Sequence, residues 1–262
     1  MIKRPGILQN ALTAASALLL TSCASAEEGR NGRAAPEKIL SQRAAAAGSA
    51  ADRLVREGQV PGALVMISQG RETYTHVDGF ADRERGVPVR EDTIFRFYSM
   101  TKPITCATVM TLYDDGLIGL DDPVEHYLPE FAQMMVRTGD GTRPAAAGMT
   151  IRHLMTHTSG LSYKVLPGPV QNDYAAADVF AIGNRQSETL EAHVKRLAAL
   201  PLVADPGTVW NYGESMGVLG RIVEVVTGKP FGTYMQERIL APLEMVDTGF
   251  HVPADKADRL AR

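Results

Sequence analysis

The interpretation of this chain depends on one stretch, Phe95-Arg96-Phe97-Tyr98-Ser99-Met100-Thr101-Lys102-Pro103-Ile104-Thr105. Its serine and lysine are three positions apart, a spacing that places Ser99 and Lys102 on one face of a helix. A serine hydroxyl is a weak nucleophile until a neighbouring group takes its proton. Near a helix N-terminus the backbone N–H of Ser99 also has no intrahelical partner and can receive an oxyanion. The spacing is that of a nucleophile, Ser99, and its activating base, Lys102, but by itself it also fits a surface helix start with a solvated lysine, and the further segments described below favour the first interpretation.

Secondary-structure signals surround this stretch. Pro36 opens an alanine-rich segment that predicts a helix to about Glu57. Residues 63–77, with a turn at Gln69-Gly70-Arg71, predict a β-hairpin, the one sheet that the pattern indicates. From Thr101 onwards the pattern is mainly helical. A lone two-stranded hairpin is marginal in water, so further strands or a covering helix are expected.

Several further segments accompany the serine–lysine stretch. The most specific is Ile151-Arg152-His153-Leu154-Met155-Thr156-His157-Thr158-Ser159-Gly160-Leu161, and others lie at 61–80, 120–124, 206–212, 218–220 and 227–230. Together these segments resemble the penicillin-recognising, serine β-lactamase-like family, which includes class C β-lactamases and the β-lactamase-like carboxylesterases of family VIII. The resemblance runs from about Pro36 to the end of the chain.

The resemblance implies an α+β fold of the β-lactamase/transpeptidase-like type. In that fold an antiparallel sheet is flanked by helices and joined to a helical lobe, and Ser99 and Tyr212 face the cleft between the two. Tyr212 matches the family's second motif, in which a tyrosine helps to deprotonate the serine and later passes the proton to the leaving group. A free tyrosine has a pKa of about 10, so this role requires help from Lys102. Ser99, Lys102 and Tyr212 are therefore the expected catalytic residues, and neither a metal nor an organic cofactor is expected.

One departure from the family pattern concerns the second position after Tyr212. β-Lactamases commonly have asparagine there, and this chain has Glu214. A carboxylate suits the polar recognition of a β-lactam poorly, whereas the esterases of the family are less restricted at this position. The resemblance therefore implies a serine hydrolase that forms a covalent acyl-serine intermediate on ester, β-lactam or related amide bonds of small molecules, with esters favoured.

Two other patterns offer different sites. Gly213-Glu214-Ser215-Met216-Gly217 fits the GxSxG nucleophile elbow of α/β-hydrolases, which makes Ser215 a remote alternative nucleophile. That elbow requires a preceding parallel sheet and a suitably spaced acid and histidine downstream, and neither is evident. His153 and His157 have the i, i+4 spacing of zinc ligands on a helix, but Leu154 occupies the glutamate position of HExxH. Helix capping and packing account better for the two histidines.

The N-terminal residues predict export. A basic start, a short apolar stretch and small residues form the pattern of a secretory signal peptide over 1–23. Leu20-Thr21-Ser22-Cys23 resembles the bacterial lipobox, so Cys23 is the expected site of lipidation and of membrane attachment. Cleavage at Ala24-Ser25-Ala26 is the alternative. By either route the chain is expected in the periplasm of a bacterium, and lipidation would favour its outer membrane.

Composition sets the remaining bounds. After a polar tether at 24–35, residues 36–262 are predicted to form one incomplete serine hydrolase domain, and 45% hydrophobic content suffices for a sizeable core. With 27 basic and 30 acidic residues, the net charge of −3 leaves no basic face for nucleic acid. The two cysteines, Cys23 and Cys106, exclude a disulfide framework, and the apolar neighbours of Cys106 predict a buried thiol.

One expected element of the family is not evident. The family's third motif, a KTG-like or glycine-rich strand, follows the second motif at a distance and supplies the second oxyanion N–H. Nothing after Pro253 matches it. The sequence therefore also admits an alternative from another class, in which the chain is a truncated, non-catalytic fragment that lacks the C-terminal strands of the fold.

Overall fold

A computed structural model describes residues 36–179 and 188–262. Within the described residues the chain forms two compact units. Residues 98–248 form the first unit, and residues 36–97 with 249–262 form the second. Each unit contains helices and an antiparallel sheet.

Two predictions for the N-terminus lie outside the described residues. These are the signal peptide over 1–23, with its lipidation site Cys23, and the polar tether at 24–35. Among the helices that are described, none is both long enough and apolar enough to cross a membrane.

The second unit is built on a helix and a hairpin. Helix α1 spans Pro36–Arg56, and strands β1 (Gly62–Gln69) and β2 (Glu72–Asp82) pair antiparallel. Gly70 in the turn between the strands has φ +62°, a left-handed conformation that glycine adopts without a β-carbon clash. The predicted helix and hairpin are therefore confirmed.

Helix α1 packs against both strands of the hairpin. Gly48 lies so close to the sheet that a β-carbon there would be 2.7 Å from the Tyr74 hydroxyl. His76 on β2 pairs with Asp52 of α1, with 2.5 Å between Nε2 and Oδ1. Strand β3 (Val87–Pro88) extends the sheet on the other side of β2. The hairpin thus has the covering helix and the further strand that an isolated pair requires.

The last residues of the chain belong to this second unit through backbone hydrogen bonds. Ile94 N donates to Arg259 O at 2.8 Å, and Ala261 N donates back to Ile94 O at 2.9 Å. Arg262 N donates to Ala81 O at 2.8 Å. A 3-10 helix, Ala254–Arg259, precedes these contacts.

The first unit is mainly helical, as predicted. Its helices are α2 (Thr101–Asp114), α3 (Ile151–Met155), α4 (Gln171–Ala176), α5 (Leu190–Ala198), α6 (Ser215–Thr227) and α7 (Phe231–Met235), with 3-10 turns at Tyr98–Met100, Val124–His126 and Pro129–Phe131 and a π-helical turn at Gln236–Leu240. Helix α6 is central, because α2, α3, α5 and α7 all pack against it. Its residues Val218, Leu219, Ile222 and Val223 are fully buried and share one helix face. This core joins helices α2 and α6, and the residues of the candidate site lie at or just before the N-termini of these two helices.

A second sheet in the first unit corrects the prediction of a single hairpin. Strands β4 (Met135–Thr138) and β5 (Gly141–Pro144) pair antiparallel. All four residues of β5 are exposed, so the apolar–polar alternation of a half-buried strand is absent from it. The hairpin is held by ion pairs with distant residues: Arg137 pairs with Asp173, and Arg143 pairs with Asp205 at 2.6 Å. Such long-range contacts leave no local signal in the sequence.

The position of Leu219 in this core leads to a stability prediction. Leu219→Ala removes a fully buried side chain from the centre of α6 and should lower the free energy of unfolding by about 2–5 kcal/mol. Val225 lies on the same helix and is 42% exposed, so Val225→Ala is the matched control. It should change the free energy of unfolding by no more than about 0.5 kcal/mol. Urea denaturation followed by circular dichroism measures both, and equal effects would contradict the assignment of the core face.

Candidate active site

Ser99 lies at the junction between a 3-10 turn and helix α2. The turn comprises Tyr98–Met100, and Thr101 begins the helix, so Lys102 is in its first turn. Tyr98 has φ +42°, a left-handed conformation that is uncommon for a non-glycine residue. Lys102 Nζ donates a hydrogen bond to Ser99 Oγ at 3.2 Å, and the Ser99 side chain is exposed. The i, i+3 spacing therefore brings nucleophile and base candidates into direct contact.

Tyr212 reaches the same hydroxyl from a distant part of the chain. Its phenol donates to Ser99 Oγ at 2.6 Å across 113 positions of sequence. Two backbone hydrogen bonds hold the loop that precedes Tyr212. Gly207 N donates to Thr158 O, and Asn211 N donates to His157 O, both at 2.7 Å. The segment with the most specific sequence match, residues 151–161, thus holds the loop that carries Tyr212 through backbone hydrogen bonds.

Close packing continues at the residue after Tyr212. A β-carbon on Gly213 would lie 2.3 Å from Leu161 O and 2.8 Å from Ser162 Cα. The side-chain amide of Asn211 donates to Leu161 O at 2.8 Å, which ties the same two segments together. Only glycine allows the chain to pass Leu161 at this distance.

The charge of Lys102 affects the pKa of Tyr212. Its ammonium nitrogen lies 4.4 Å from the centre of the Tyr212 ring. Partial burial raises the pKa of the Tyr212 phenol, but hydrogen bonds with Lys102 and Ser99 and the positive charge of Lys102 outweigh that effect. The pKa of Tyr212 is therefore lower than that of a free tyrosine. The group that contacts the candidate nucleophile thus loses its proton more readily than an ordinary phenol.

His157 is a neighbour of Tyr212 that the sequence analysis considered only as a zinc ligand or packing residue. Its ring centre lies 4.9 Å from that of Tyr212 and 6.2 Å from that of Trp210. Burial lowers the pKa of His157, and the nearby Lys102 charge lowers it further. The imidazole therefore tends to stay neutral and to support the tyrosine by packing. Its place beside Tyr212 depends on the fold of two loops, which no local pattern predicts.

The predicted i, i+4 geometry of the two histidines is wrong. Helix α3 ends at Met155, and His157 has φ +55°, so the two rings do not project from one helix. His153 completes a capping box with Thr150: its backbone N–H donates to Thr150 Oγ1, and its Nδ1 accepts from Thr150 N. The capping role predicted for His153 is therefore confirmed. The described part of the chain contains no cluster of three or more His, Cys, Asp or Glu side chains that could hold a metal ion.

Ser215 is not placed to act as a nucleophile. It is fully buried at the start of α6, and its Oγ lies 2.9 Å from Ser159 Oγ. The described sheets pair antiparallel throughout, whereas a nucleophile elbow requires a parallel sheet before it. The remote α/β-hydrolase alternative is therefore wrong, because the GxSxG match is a helix start packed into the core.

Glu214 and Cys106 also differ from their predicted environments. The Glu214 side chain is only 1% exposed, so it does not face a substrate, and the argument against β-lactams from its charge is wrong. Cys106 is half-buried, with its Sγ 4.0 Å from Met216 Sδ, and burial raises the pKa of its thiol.

Tyr163 is a further neighbour of the site that the sequence analysis missed. The centre of the Tyr163 ring lies 5.5 Å from the centre of the Tyr212 ring. Lys102 Nζ lies 5.9 Å from the centre of the Tyr163 ring. The Tyr163 side chain is 8% exposed. Lys102 therefore lies near two tyrosine rings, Tyr163 and Tyr212.

This fold and site define a class of protein. The family model described as Beta-lactamase matches residues 43–262, and the chain belongs to the β-lactamase family. The predicted resemblance and the predicted β-lactamase/transpeptidase-like fold, with helices and small antiparallel sheets, are confirmed.

The chain is similar to enzymes that act on acyl groups. It is 40% identical over 202 residues to esterase EstB of Burkholderia gladioli, covering 76% of this chain and 49% of that protein. It is 35% identical over 221 residues to acyltransferase mokF of Monascus pilosus, and the match covers 79% of this chain and 52% of that protein. The structure of EstCE1, a hydrolase with promiscuous acyltransferase activity, matches with a TM-score of 0.76 and 31% identity, covering 85% and 57%. The chain spans about half the length of the curated relatives it matches.

The contact between Gly213 and Leu161 predicts a sharp steric effect. Gly213→Ala forces the backbone beside Tyr212 to move and should lower the free energy of unfolding by about 1–3 kcal/mol. Gly217→Ala is the matched control, because its β-carbon would meet no atom closer than 3.8 Å and helix α6 gains an alanine. That variant should be neutral or more stable by up to about 1 kcal/mol. Urea denaturation compares the two, and a neutral Gly213→Ala would contradict the close approach.

Proposed function

We propose that this protein is a serine hydrolase that forms a covalent acyl-enzyme on Ser99. One observation carries the proposal: Ser99 Oγ lies 3.2 Å from Lys102 Nζ and 2.6 Å from Tyr212 Oη. A nucleophile and its base must lie within hydrogen-bond distance of each other, and the base needs a third group to orient it. Lys102 and Tyr212 meet both requirements, because they contact each other as well as the serine.

In the proposed reaction the Tyr212–Lys102 pair takes the proton of Ser99 as Oγ attacks the carbonyl carbon. The negative charge that develops on the carbonyl oxygen is received by backbone N–H groups, one of them that of Ser99. The pair then returns the proton to the leaving group as the bond to it breaks, which leaves the acyl group on Ser99. Water, activated by the same pair, attacks the acyl-serine and releases the acid with the serine restored.

Esters are the favoured substrates of the proposed reaction. Similarity to an esterase, an acyltransferase and a hydrolase with acyltransferase activity supports acyl groups on oxygen over β-lactam or peptidoglycan-derived amide bonds. An acyl-serine formed from an ester can pass its acyl group to water or to an alcohol. We also propose, from the signal and lipobox pattern alone, that the protein is exported and attached to a membrane through Cys23.

Paired serine variants test the nucleophile. We expect Ser99→Ala to abolish both covalent labelling by a fluorophosphonate and turnover of p-nitrophenyl butyrate, because the proposed acyl intermediate forms on the Ser99 hydroxyl. Ser215→Ala is the control and should keep both, since the Ser215 hydroxyl is buried against Ser159. Mass spectrometry of the labelled peptide identifies the modified residue.

Two results would go against the proposal. Undiminished labelling of Ser99→Ala would show that Ser99 is not the nucleophile. If the unmodified chain unfolds cooperatively but neither labels nor turns over the ester, the alternative of a non-catalytic fragment is favoured.

The lowered pKa of Tyr212 predicts the pH dependence of labelling. The reactive form is the one in which the Tyr212–Lys102 pair has lost a proton, so the rate should rise with pH to a plateau. Because the pKa of Tyr212 is lowered, the midpoint should lie below the value of about 10 for a free tyrosine. Tyr212→Phe should lower the plateau rate by about 10² to 10⁴-fold. A pH profile of the labelling rate measures both, and an unchanged profile in Tyr212→Phe would contradict this role.

A further inference from the structure

Trp210 is the only tryptophan of the chain, and it lies two positions before Tyr212. Its side chain is 65% exposed. Single apolar residues are common on protein surfaces, so exposure alone does not indicate a function. The place of this ring does, because it borders the tyrosine that contacts Ser99.

Two aromatic neighbours fix the Trp210 ring. Its centre lies 6.3 Å from the centre of the Tyr212 ring, with 25° between the two planes, and 6.2 Å from the centre of the His157 ring, with 65° between the planes. These are the offset-stacked and edge-to-face arrangements that aromatic pairs prefer. The next residue, Asn211, is held by its backbone N–H, which donates to His157 O at 2.7 Å. The indole is therefore held beside Tyr212 while most of its surface remains accessible.

Other large apolar side chains are exposed next to the nucleophile itself. Tyr98 and Met100 flank Ser99 in the chain, and both are exposed. Tyr212 links the two segments, because its phenol donates to Ser99 Oγ at 2.6 Å. Sites for small molecules typically combine an apolar and aromatic lining with a few precisely placed polar groups. The surroundings of Ser99 therefore have the composition of a site for an apolar substrate.

The role of Tyr212 indicates which part of an ester would lie beside Trp210. In the proposed reaction the bond between the carbonyl carbon and the alcohol oxygen breaks, and that oxygen takes the proton held by the Tyr212–Lys102 pair. The alcohol oxygen must then lie within hydrogen-bond distance of the pair. The acyl carbon, by contrast, is bonded to Ser99 Oγ. The alcohol portion thus starts at Tyr212, and the Trp210 ring is stacked beside Tyr212.

We propose that Trp210 is a specificity-determining residue that packs against the alcohol portion of the ester, and that esters of aromatic alcohols are the preferred substrates. The inference rests on the proposed function, because it takes the leaving-group side from the role of Tyr212. A simpler account is that Trp210 only supports Tyr212 by packing. Loss of support slows every ester by the same factor, whereas loss of a substrate contact slows aromatic esters more than small ones.

The test compares kcat/KM for benzyl butyrate and methyl butyrate, whose alcohols have similar acidity, by titration of the released acid. We expect the unmodified chain to prefer the benzyl ester and Trp210→Ala to lower the benzyl-to-methyl ratio by about tenfold. Trp210→Phe keeps a ring and should retain most of the preference, and it also serves if Trp210→Ala does not fold. Leu117→Ala removes an exposed apolar side chain just after α2 and is the matched control, with an unchanged ratio.

A second pair of esters identifies the side of the substrate. The ratio of benzyl butyrate to benzyl acetate changes only the acyl group and should be the same in Trp210→Ala as in the unmodified chain. An unchanged benzyl-to-methyl ratio in Trp210→Ala overturns the proposal. So does a fall confined to the butyrate-to-acetate ratio, because Trp210 would then contact the acyl group.

Tryptophan fluorescence tests the contact without any reaction. Since Trp210 is the only tryptophan, all emission excited at the red edge of indole absorption comes from this ring. We expect benzyl alcohol to shift the emission of Ser99→Ala to shorter wavelengths with a saturable dependence, and methanol to have no such effect. A response that does not saturate, or that methanol reproduces, contradicts the proposal. So does a shift that appears with rising protein concentration alone, because a second copy of the chain would then cover the ring.

The two measurements separate this inference from the proposed function. If Ser99 does not label but benzyl alcohol binds saturably, the proposed function fails and the aromatic contact at Trp210 stands. If Ser99 labels and esters are turned over with an unchanged benzyl-to-methyl ratio in Trp210→Ala, the inference about Trp210 fails alone.

Discussion

The arrangement depends on a single hydroxyl that accepts two hydrogen bonds. Ser99 Oγ receives one from Lys102 at 3.2 Å and one from Tyr212 at 2.6 Å, and these two groups also contact each other. A serine is activated only if a base is present at hydrogen-bond distance with its charge controlled. The backbone contacts of the loop that carries Tyr212 and the close approach of Gly213 to Leu161 support this arrangement.

The packing around them explains how the relation is maintained. Lys102 is fixed by helix α2, whereas Tyr212 lies on a loop, and loops need external support to hold a side chain to within a fraction of an ångström. That support comes from backbone hydrogen bonds to the loop after α3 and from the close approach of Gly213 to Leu161. Helix α6, which starts directly after Glu214, then ties this loop to the core.

Neighbouring charges and burial shift the pKa values of three side chains near Ser99. Close to Ser99, the Lys102 ammonium favours ionisation of Tyr212 and disfavours protonation of His157. Farther in, burial raises the pKa of Tyr163, and the charge of Glu214 raises it further. Two tyrosine rings thus lie near one lysine, yet their surroundings drive their pKa values in opposite directions.

The sequence by itself determined what depends on neighbours along the chain. The i, i+3 spacing of Ser99 and Lys102 and the hairpin with its turn at Gly70 follow from helix and turn geometry alone, and the family was recognisable from several short segments. Only the tertiary structure decided which distant groups meet. The contact between Tyr212 and Ser99 spans 113 positions, and the buried Glu214 lies 3.4 Å from His193 of helix α5. A sequence shows that a carboxylate is present, but its burial depends on packing between segments remote along the chain, and burial decided that Glu214 faces the interior.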